Sequence, residues 1–154
     1  MDSEKMNKIL IIEDNTTKLK NIRDLCSREF SAYQIVDKQS YNSAQQEVVY
    51  HGDEYDLILL DVSMNTYDMT KEDNMEQEPL AGANILRFMK LRHLVTPVII
   101  VTMYESFVDG VKINALNDRF SEHYSEIYKG FVYYSLKNDE WKDELIIKMK
   151  TILV

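Results

Sequence analysis

Cysteine and positive charge are both scarce in this chain of 154 residues. Cys26 is the only cysteine, so an internal disulfide is excluded and the chain suits a reducing compartment. Lys and Arg number 18 against 26 Asp and Glu, which gives a net charge of −8. Because nucleic acid binding needs a basic surface and no Lys/Arg-rich run is present, we expect no nucleic acid partner.

Long apolar segments are absent as well. No run approaches the roughly 20 apolar residues that span a bilayer, and residues 1–6 lack the apolar core of a signal peptide. A cytoplasmic protein without a membrane segment is therefore predicted. The length suits a single domain over 1–154, and we expect no internal repeat, no linker and no attached output domain.

What the chain does contain is an alternation of short apolar runs with longer helical patterns. Strands are predicted over 8–12, 33–37, 56–60, 97–101 and 131–135. Helices are predicted over 16–29, 40–50 and 83–94, within 105–127, and through Trp141, Leu145, Met149 and Ile152. Asn15 is the expected N-cap of the first helix, and Asn138 or Asp139 that of the last. Five alternating pairs indicate an α/β fold with a parallel sheet covered on both faces.

Acidic residues follow two of the predicted strands. The first strand runs into Glu13-Asp14 and the third into Asp61, and neighbouring parallel strands would bring these acids to one edge of the sheet. Crowded carboxylates repel unless a cation lies among them, and oxygen ligands of this kind suit Mg²⁺. With Thr102 and Lys137 after the fourth and fifth strands, the set suits phosphoryl transfer to a carboxylate.

One connection is unusually long and acidic. Residues 65–79 show no periodicity and contain Asp68, Glu72, Asp73, Glu76 and Glu78. Connections of this length are uncommon inside a compact domain, so an acidic loop insertion is predicted at the surface. A solvated run of charge is its simplest interpretation.

Four segments share the strand context described above. They are 9–15 (ILIIEDN), 56–64 (DLILLDVSM), 97–102 (PVIIVT) and 130–137 (GFVYYSLK). Together they resemble the receiver domain of bacterial two-component response regulators, and the resemblance covers nearly the whole chain. It implies a flavodoxin-like, doubly wound, five-stranded parallel sheet in the order 2-1-3-4-5 with helices on both faces. It also implies a stand-alone signalling domain rather than a turnover enzyme.

The resemblance assigns roles to the acids. Asp61 matches the aspartate that accepts the phosphoryl group in the family. Asp14 and Asp61 would ligate Mg²⁺ directly, Glu13 would act through a water, and the Ser63 backbone carbonyl would complete the protein ligands. The phosphoryl donor would be a histidine kinase, a phosphotransfer protein or a small acyl phosphate.

The resemblance also assigns a switch. Thr102 matches the hydroxyl that turns toward the phosphoryl group, Tyr134 the aromatic side chain that follows this movement, and Lys137 the lysine that pairs with the phosphate. A change of charge at such a site biases a surface with two states. The output would be a contact with a downstream protein through the fourth helix, fifth strand and fifth helix, and homodimer formation is left open.

Departures from the family pattern keep other hypotheses open. Met103 stands where a small residue is usual, Asn138 where proline usually follows the lysine, and the connections over 61–82 and 102–130 are long. A receiver-like interaction module that no longer responds to phosphate is therefore the second hypothesis. A Mg²⁺-dependent phosphatase of another α/β family fits less well, because Ser63 stands where those enzymes commonly need an acid.

Overall fold

A computed structural model describes residues 7–62, 81–103 and 113–153 of the chain. The strands are β1 (Lys8–Ile12), β2 (Gln34–Lys38), β3 (Leu57–Leu60), β4 (Val98–Thr102) and β5 (Tyr128–Tyr133). The helices are α1 (Thr16–Glu29), α2 (Tyr41–His51), α3 (Ala81–Leu91), α4 (Ile113–His123) and α5 (Glu140–Leu153), with one 3₁₀ turn at Gly52–Glu54. The predicted alternation of strands and helices is confirmed.

The five strands form one parallel sheet in the order β2-β1-β3-β4-β5. This is the predicted order, and it places β1 and β3 side by side in the middle of the sheet. Ile12 of β1 pairs with Leu60 of β3. Because the two strands end at the same level, the residues that follow them, Glu13 and Asp61, emerge together at one edge.

Alternate residues of the central strands pack into two separate cores, as expected for a parallel sheet buried on both faces. One core lies under α2, α3 and α4 and receives Leu10, Ile12, Ile58, Leu60, Val98 and Ile100. The other lies under α1 and α5 and receives Ile9, Ile11, Leu57, Leu59, Ile99 and Val101. The position of a residue in this alternation therefore decides on which face of the sheet its side chain lies, and this holds at the carboxyl edge as well.

Polar N-caps fix where the first two helices begin. The Asn15 side chain accepts a hydrogen bond from the Lys18 backbone N–H at 2.9 Å, which confirms Asn15 as the N-cap of α1. Ser40 caps α2 in the same way through the N–H of Ser43. Because α1 begins directly after the acidic pair, its first turn lies against the carboxyl edge of the sheet.

The predicted limits of the fifth strand, 131–135, were wrong at both ends. β5 begins at Tyr128, and between its pairings with Val98 and Ile100 it carries one more residue than β4. Gly130 lies in this bulge with φ of 114°, a backbone conformation that only glycine adopts without strain. A glycine in sequence does not by itself distinguish a turn from a bulge within a strand.

The remaining predictions concern the long acidic connection, two helices and the absence of a membrane segment. The acidic segment 65–79 and Ser63 lie outside the described residues. The helix expected within 105–127 is found as α4, and that expected over 83–94 begins at Ala81 and ends at Leu91. Among the described helices, none combines the length and apolar composition that a bilayer span requires.

Candidate functional site

Three carboxylates meet at the carboxyl edge of the sheet, as the sequence predicts. Oxygen atoms of Glu13, Asp14 and Asp61 all lie within 4.8 Å of one another. Glu13 and Asp61 are buried, with 1% and 5% of their surface exposed, and Asp14 is half-buried. Backbone hydrogen bonds hold the pair of strands in place, since the Asp61 N–H donates to the carbonyl of Ile12 at 3.1 Å.

A lysine from α1 lies among these acids. The Lys18 Nζ atom is 2.7 Å from Glu13 Oε1 and 3.3 Å from Asp61 Oδ2. It also donates a hydrogen bond of 2.7 Å to the backbone carbonyl of Val101, the penultimate residue of β4. Only 1% of the Lys18 side chain is exposed, so this is an ion cluster shielded from solvent.

Sequence reasoning missed Lys18, although a signal was present. The buried residues of α1 are Lys18, Leu19, Ile22, Leu25 and Cys26, which form one stripe at helical spacing. A lysine at the start of such a stripe, four residues after Asp14, must either reach solvent or find buried acids. The distance from α1 to the third and fourth strands, which decides between these outcomes, cannot be read from the sequence.

Burial controls the ionisation of Glu13. Loss of solvent raises the pKa of the Glu13 carboxyl above its ordinary value, the Lys18 ammonium lowers this pKa, and the negative charge of Asp61 raises it again. Three carboxylates beside one ammonium carry an excess of negative charge when all are ionised. An additional cation would therefore be attracted to this edge.

The oxygen donors of the cluster fit Mg²⁺. Carboxylates are the ligands that this ion prefers, and the three acids offer closely spaced oxygen atoms from two adjacent strands. Lys18 contacts both Glu13 and Asp61, so a metal ion would share these two carboxylates with the ammonium. The predicted contribution of the Ser63 carbonyl lies outside the described residues.

The start of α3 packs directly against the backbone of Asp61. The Gly82 N–H donates to the Val62 carbonyl at 3.0 Å. A Cβ atom on Gly82 would lie 2.4 Å from Val62 Cα and 2.7 Å from the Asp61 carbonyl oxygen. Any other residue type would force the backbone at this contact to shift, so glycine allows the start of α3 to lie directly against Asp61 and Val62.

Thr102, the last residue of β4, is fully buried at the same edge. It pairs with Tyr133, and both continue the alternation that points toward the core under α2, α3 and α4. Tyr133 is 38% exposed. Of the neighbouring residues Tyr133 and Tyr134, Tyr133 is therefore the one on the same side of the sheet as Thr102.

Tyr134, the aromatic residue assigned to the switch, lies on the other face of the sheet. Its side chain belongs to the core under α1 and α5 and contacts Trp141, with ring centroids 4.7 Å apart. The Tyr134 hydroxyl accepts a hydrogen bond of 2.8 Å from Asn21 of α1. The Lys18 Nζ atom is 5.8 Å from the centre of the Tyr134 ring, so this residue borders the ion cluster from the side of α1.

Lys137 lies beyond the end of β5 and is exposed. Its backbone N–H donates to the Ser135 hydroxyl at 3.0 Å, within the turn that leads to α5. Among the residues that the structure describes, the Lys137 ammonium forms no ion pair with the acids. Asn138, expected as a cap, accepts a hydrogen bond from the Glu140 N–H at the start of α5.

Met103 follows Thr102 and stands where a small residue is usual in the family. Its side chain packs against the core under α1 and α5 and is partly buried. Met103 thus continues the alternation of β4 and lies on the opposite side from Thr102. The Met103 side chain therefore does not crowd the Thr102 hydroxyl.

Comparison with known proteins places this fold and acidic edge in a family. No protein-family model matches the chain. The Detocs response regulatory protein DtcB of Enterobacter cloacae (strain JD6301) is 31% identical over 147 residues, which cover 92% of this chain and 97% of that protein. An uncharacterized protein, y4jR, of Sinorhizobium fredii is 27% identical over 140 residues, with 88% and 91% covered.

Solved structures agree on the architecture. A CheY-like response regulator receiver domain protein from Methanospirillum hungatei JF-1 is similar with a TM-score of 0.61 at 20% identity, covering 95% of this chain and 92% of that one. A response regulator receiver domain protein from Clostridium thermocellum has a TM-score of 0.62 at 20% identity, with 96% and 94% covered. These neighbours establish the receiver fold, and at this distance they establish no more.

The chain therefore has the fold of a receiver domain, and it belongs to the response regulators of two-component systems.

Proposed function

We propose that this protein accepts a phosphoryl group on Asp61 and signals through contacts with other proteins. The observation that carries the proposal is the position of Asp61, at the carboxyl end of a central strand with Glu13 and Asp14 beside it. Membership of the response regulators supports the same reading. The Asp61 side chain is 6% exposed, so the acceptor carboxylate lies close to the surface but is largely shielded from water.

The proposed step is a displacement at phosphorus. A carboxylate oxygen of Asp61 forms a bond to the phosphorus atom of the donor, and the bond from phosphorus to the leaving group breaks. With an acyl phosphate, the leaving carboxylate takes the bonding electron pair and no proton is transferred. With a phosphohistidine donor, the P–N bond breaks and the leaving imidazole gains a proton. The product is a mixed anhydride of Asp61, which water later hydrolyses.

Glu13, Asp14 and Asp61 are the residues that would hold Mg²⁺. When bound, this ion offsets the negative charge of the carboxylates and of the incoming phosphoryl group. The protein itself fixes the acids on two adjacent strands, excludes most water from Glu13 and Asp61, and supplies a lysine in contact with both. The Ser63 carbonyl stays a predicted ligand.

The proposed response begins at the end of β4. Thr102 is the hydroxyl expected to turn toward the phosphoryl group, and Tyr133 shares its side of the sheet and reaches the surface. Tyr134 stays a predicted switch residue, bordering the site from the opposite side. Large apolar side chains are exposed on β5, its following turn and α5, namely Tyr133, Leu136 and Ile147. We infer that this surface contacts the downstream partner, with a histidine kinase or phosphotransfer protein as donor.

Phosphorylation can be tested with a small donor. Incubation with acetyl phosphate and Mg²⁺ should add one phosphate to the intact protein, as measured by mass spectrometry, and Asp61→Asn should abolish the addition. Asp56→Asn is a suitable control, because Asp56 precedes β3 at the opposite end of the same strand. Equal labelling of Asp61→Asn and wild type would show that the acceptor is a different residue.

The same protein distinguishes the alternative hypothesis. Beryllofluoride with Mg²⁺ mimics a phosphoryl group, and a responsive receiver should show backbone resonance shifts around Thr102 and Tyr133. A module that interacts without phosphate would show none of these shifts and no labelling by acetyl phosphate.

A further inference from the structure

We propose that Lys18 of α1, rather than Lys137, is the lysine that binds the phosphoryl group on Asp61. This inference rests on the proposed function, because it assigns a phosphate-binding residue to the same site. It assigns the role to a helix residue that no motif of the sequence points to. Three observations carry it: the contacts of Lys18, the position of Lys137, and the connection from Lys18 to β4.

The contacts of the Lys18 ammonium are unequal. Two are short, at 2.7 Å to Glu13 Oε1 and 2.7 Å to the Val101 carbonyl. The third, to Asp61 Oδ2, is longer at 3.3 Å. An ammonium group has three N–H donors, so two of them hold the side chain in place while the third faces the proposed acceptor.

A phosphoryl group on Asp61 would carry oxygen atoms into the neighbourhood of this third donor. Formation of the mixed anhydride also removes the negative charge from the Asp61 carboxylate and places negative charge on the phosphoryl oxygen atoms. The Lys18 ammonium can then exchange its weakest contact for a charge-assisted hydrogen bond to phosphate. Glu13 and Val101 would keep their contacts, so little movement of α1 is required.

Lys137, unlike Lys18, lies in an exposed turn. β5 ends at Tyr133, and the chain then turns through Ser135 before Lys137. The Lys137 residue is exposed, and a flexible exposed lysine must lose side-chain freedom to reach a buried acceptor. Lys18 has already lost this freedom on folding, since its side chain is 1% exposed.

Lys18 also connects the site to the proposed switch. The carbonyl that it binds belongs to Val101, and the next residue is Thr102. The Tyr134 N–H donates to the Thr102 carbonyl at 2.7 Å. A small shift of the Lys18 ammonium toward phosphate would therefore move the end of β4 through the hydrogen bond between Lys18 and the Val101 carbonyl.

The first experiment compares lysine variants with the full-length protein. Phosphorylation by acetyl phosphate and Mg²⁺ should slow by on the order of 100-fold in Lys18→Met, and Lys18→Arg should recover part of the rate because it keeps the charge. The phosphorylation rate of Lys137→Met should be at least tenfold higher than that of Lys18→Met. Lys20→Met is the matched control, since Lys20 lies on the same helix, is exposed, and pairs only with Asp24 among the described residues.

A second readout concerns Mg²⁺ alone. Lys18 and the metal share Glu13 and Asp61, so removal of the ammonium should lower the Mg²⁺ dissociation constant of Lys18→Met relative to wild type. Lys20→Met should bind Mg²⁺ as wild type does. An unchanged dissociation constant in Lys18→Met would mean that the ammonium does not share the acids with the metal, which contradicts the arrangement proposed here.

A third measurement uses the wild-type protein and so does not depend on how a variant folds. In protein labelled with ¹⁵N at lysine, the Nζ resonance of Lys18 is identified by its loss in Lys18→Arg, and that of Lys137 by its loss in Lys137→Arg. In protein already saturated with Mg²⁺, addition of beryllofluoride should shift the Lys18 resonance further and leave that of Lys137 nearly unchanged. A shift at Lys137 alone would overturn the proposal.

The outcomes separate the two proposals. If wild type gains no phosphate and shows no beryllofluoride shifts, the proposed function fails and this inference fails with it. If wild type is labelled but Lys18→Met is labelled at the same rate, only the role of Lys18 is wrong. If Lys137→Met loses labelling while Lys18→Met keeps it, the phosphate-binding lysine is Lys137.

Discussion

The acidic edge of the sheet is built differently on its two sides. Toward α1 and the start of α3 it is tightly packed, with Lys18 buried among acids and Gly82 in contact with the Asp61 backbone. Toward the turn after β5 it is open, and Leu136 and Lys137 are exposed. The packed side holds a lysine against Glu13 and Asp61, whereas the side chains of the open side are exposed to solvent.

Substitution of the two lysines should separate the two sides most strongly. In metal-free buffer at neutral pH, Lys18→Met should lower the free energy of unfolding by about 3–5 kcal/mol, because it leaves buried carboxylates without their cation. Lys137→Met should change it by no more than about 0.5 kcal/mol. Urea unfolding followed by circular dichroism measures both. Similar losses in the two variants would contradict the contrast.

Mg²⁺ provides a control for this interpretation. A cation that binds the folded acids stabilises the folded state, so millimolar Mg²⁺ should restore more stability to Lys18→Met than to wild type. A loss that Mg²⁺ leaves untouched would point to a packing defect in place of missing charge.

A methyl group at Gly82 should also be costly. The added Cβ of Gly82→Ala would lie 2.4 Å from Val62 Cα, so the backbone beside Asp61 must move. We expect a loss of about 1–3 kcal/mol in the free energy of unfolding and slower phosphorylation of Asp61. Gly52→Ala is the matched control, since its Cβ would meet the Leu94 side chain at 3.2 Å, which can adjust. Equal losses in the two variants would show that the contact with Asp61 has no special role.

The pH dependence of stability should report the burial of Glu13. Its folded-state pKa is raised by burial, so the folded protein keeps a proton that the unfolded chain has already released. The contribution of Glu13 to the free energy of unfolding should therefore be largest at pH values below the ordinary carboxyl pKa. It should fall as the pH rises from the ordinary pKa through the raised pKa of the folded state.

Glu13→Gln isolates this contribution. In metal-free buffer the variant should show a flatter dependence of the unfolding free energy on pH over the same range, as measured by urea unfolding at a series of pH values. Glu54→Gln is the control for an exposed acid, because Glu54 lies on the surface in contact with His51 and Lys8. A slope in Glu13→Gln as steep as that of wild type would assign the dependence to another group.

The smallest expected effect concerns the two tyrosines at the end of β5. Tyr134→Phe removes the hydroxyl that accepts a hydrogen bond from Asn21 and should lower the free energy of unfolding by about 1 kcal/mol. Tyr133→Phe should stay within about 0.5 kcal/mol, since this side chain is partly exposed. Thermal unfolding of both variants beside wild type tests the pair. If Tyr133→Phe lost more of the free energy of unfolding than Tyr134→Phe, the hydroxyl that stabilises the fold would be that of Tyr133, on the open side.

The elements that could be predicted were those with a strong local pattern. The apolar runs of β1, β3 and β4, the Asn15 cap and the stripe of α1 all appear where they were expected, within one or two residues. Glu13, Asp14 and Asp61 were expected together because parallel strands end at a common edge. β5 was misplaced because Gly130 forms a bulge within the strand, and local alternation does not show that the strand continues through such a residue.

Hydrophobic period and capping are local properties, so the strands and helices could be located from the sequence. The same is true of the three acids that follow two central strands. The packing of helices against the sheet settled three further points: which lysine reaches those acids, whether Tyr133 or Tyr134 shares a side with Thr102, and why a side chain at position 82 would displace the backbone. These depend on distances between α1, α3 and the sheet, and on a bulge that changes the register of β5. Such distances arise from packing among segments far apart in the chain, so no local pattern encodes them.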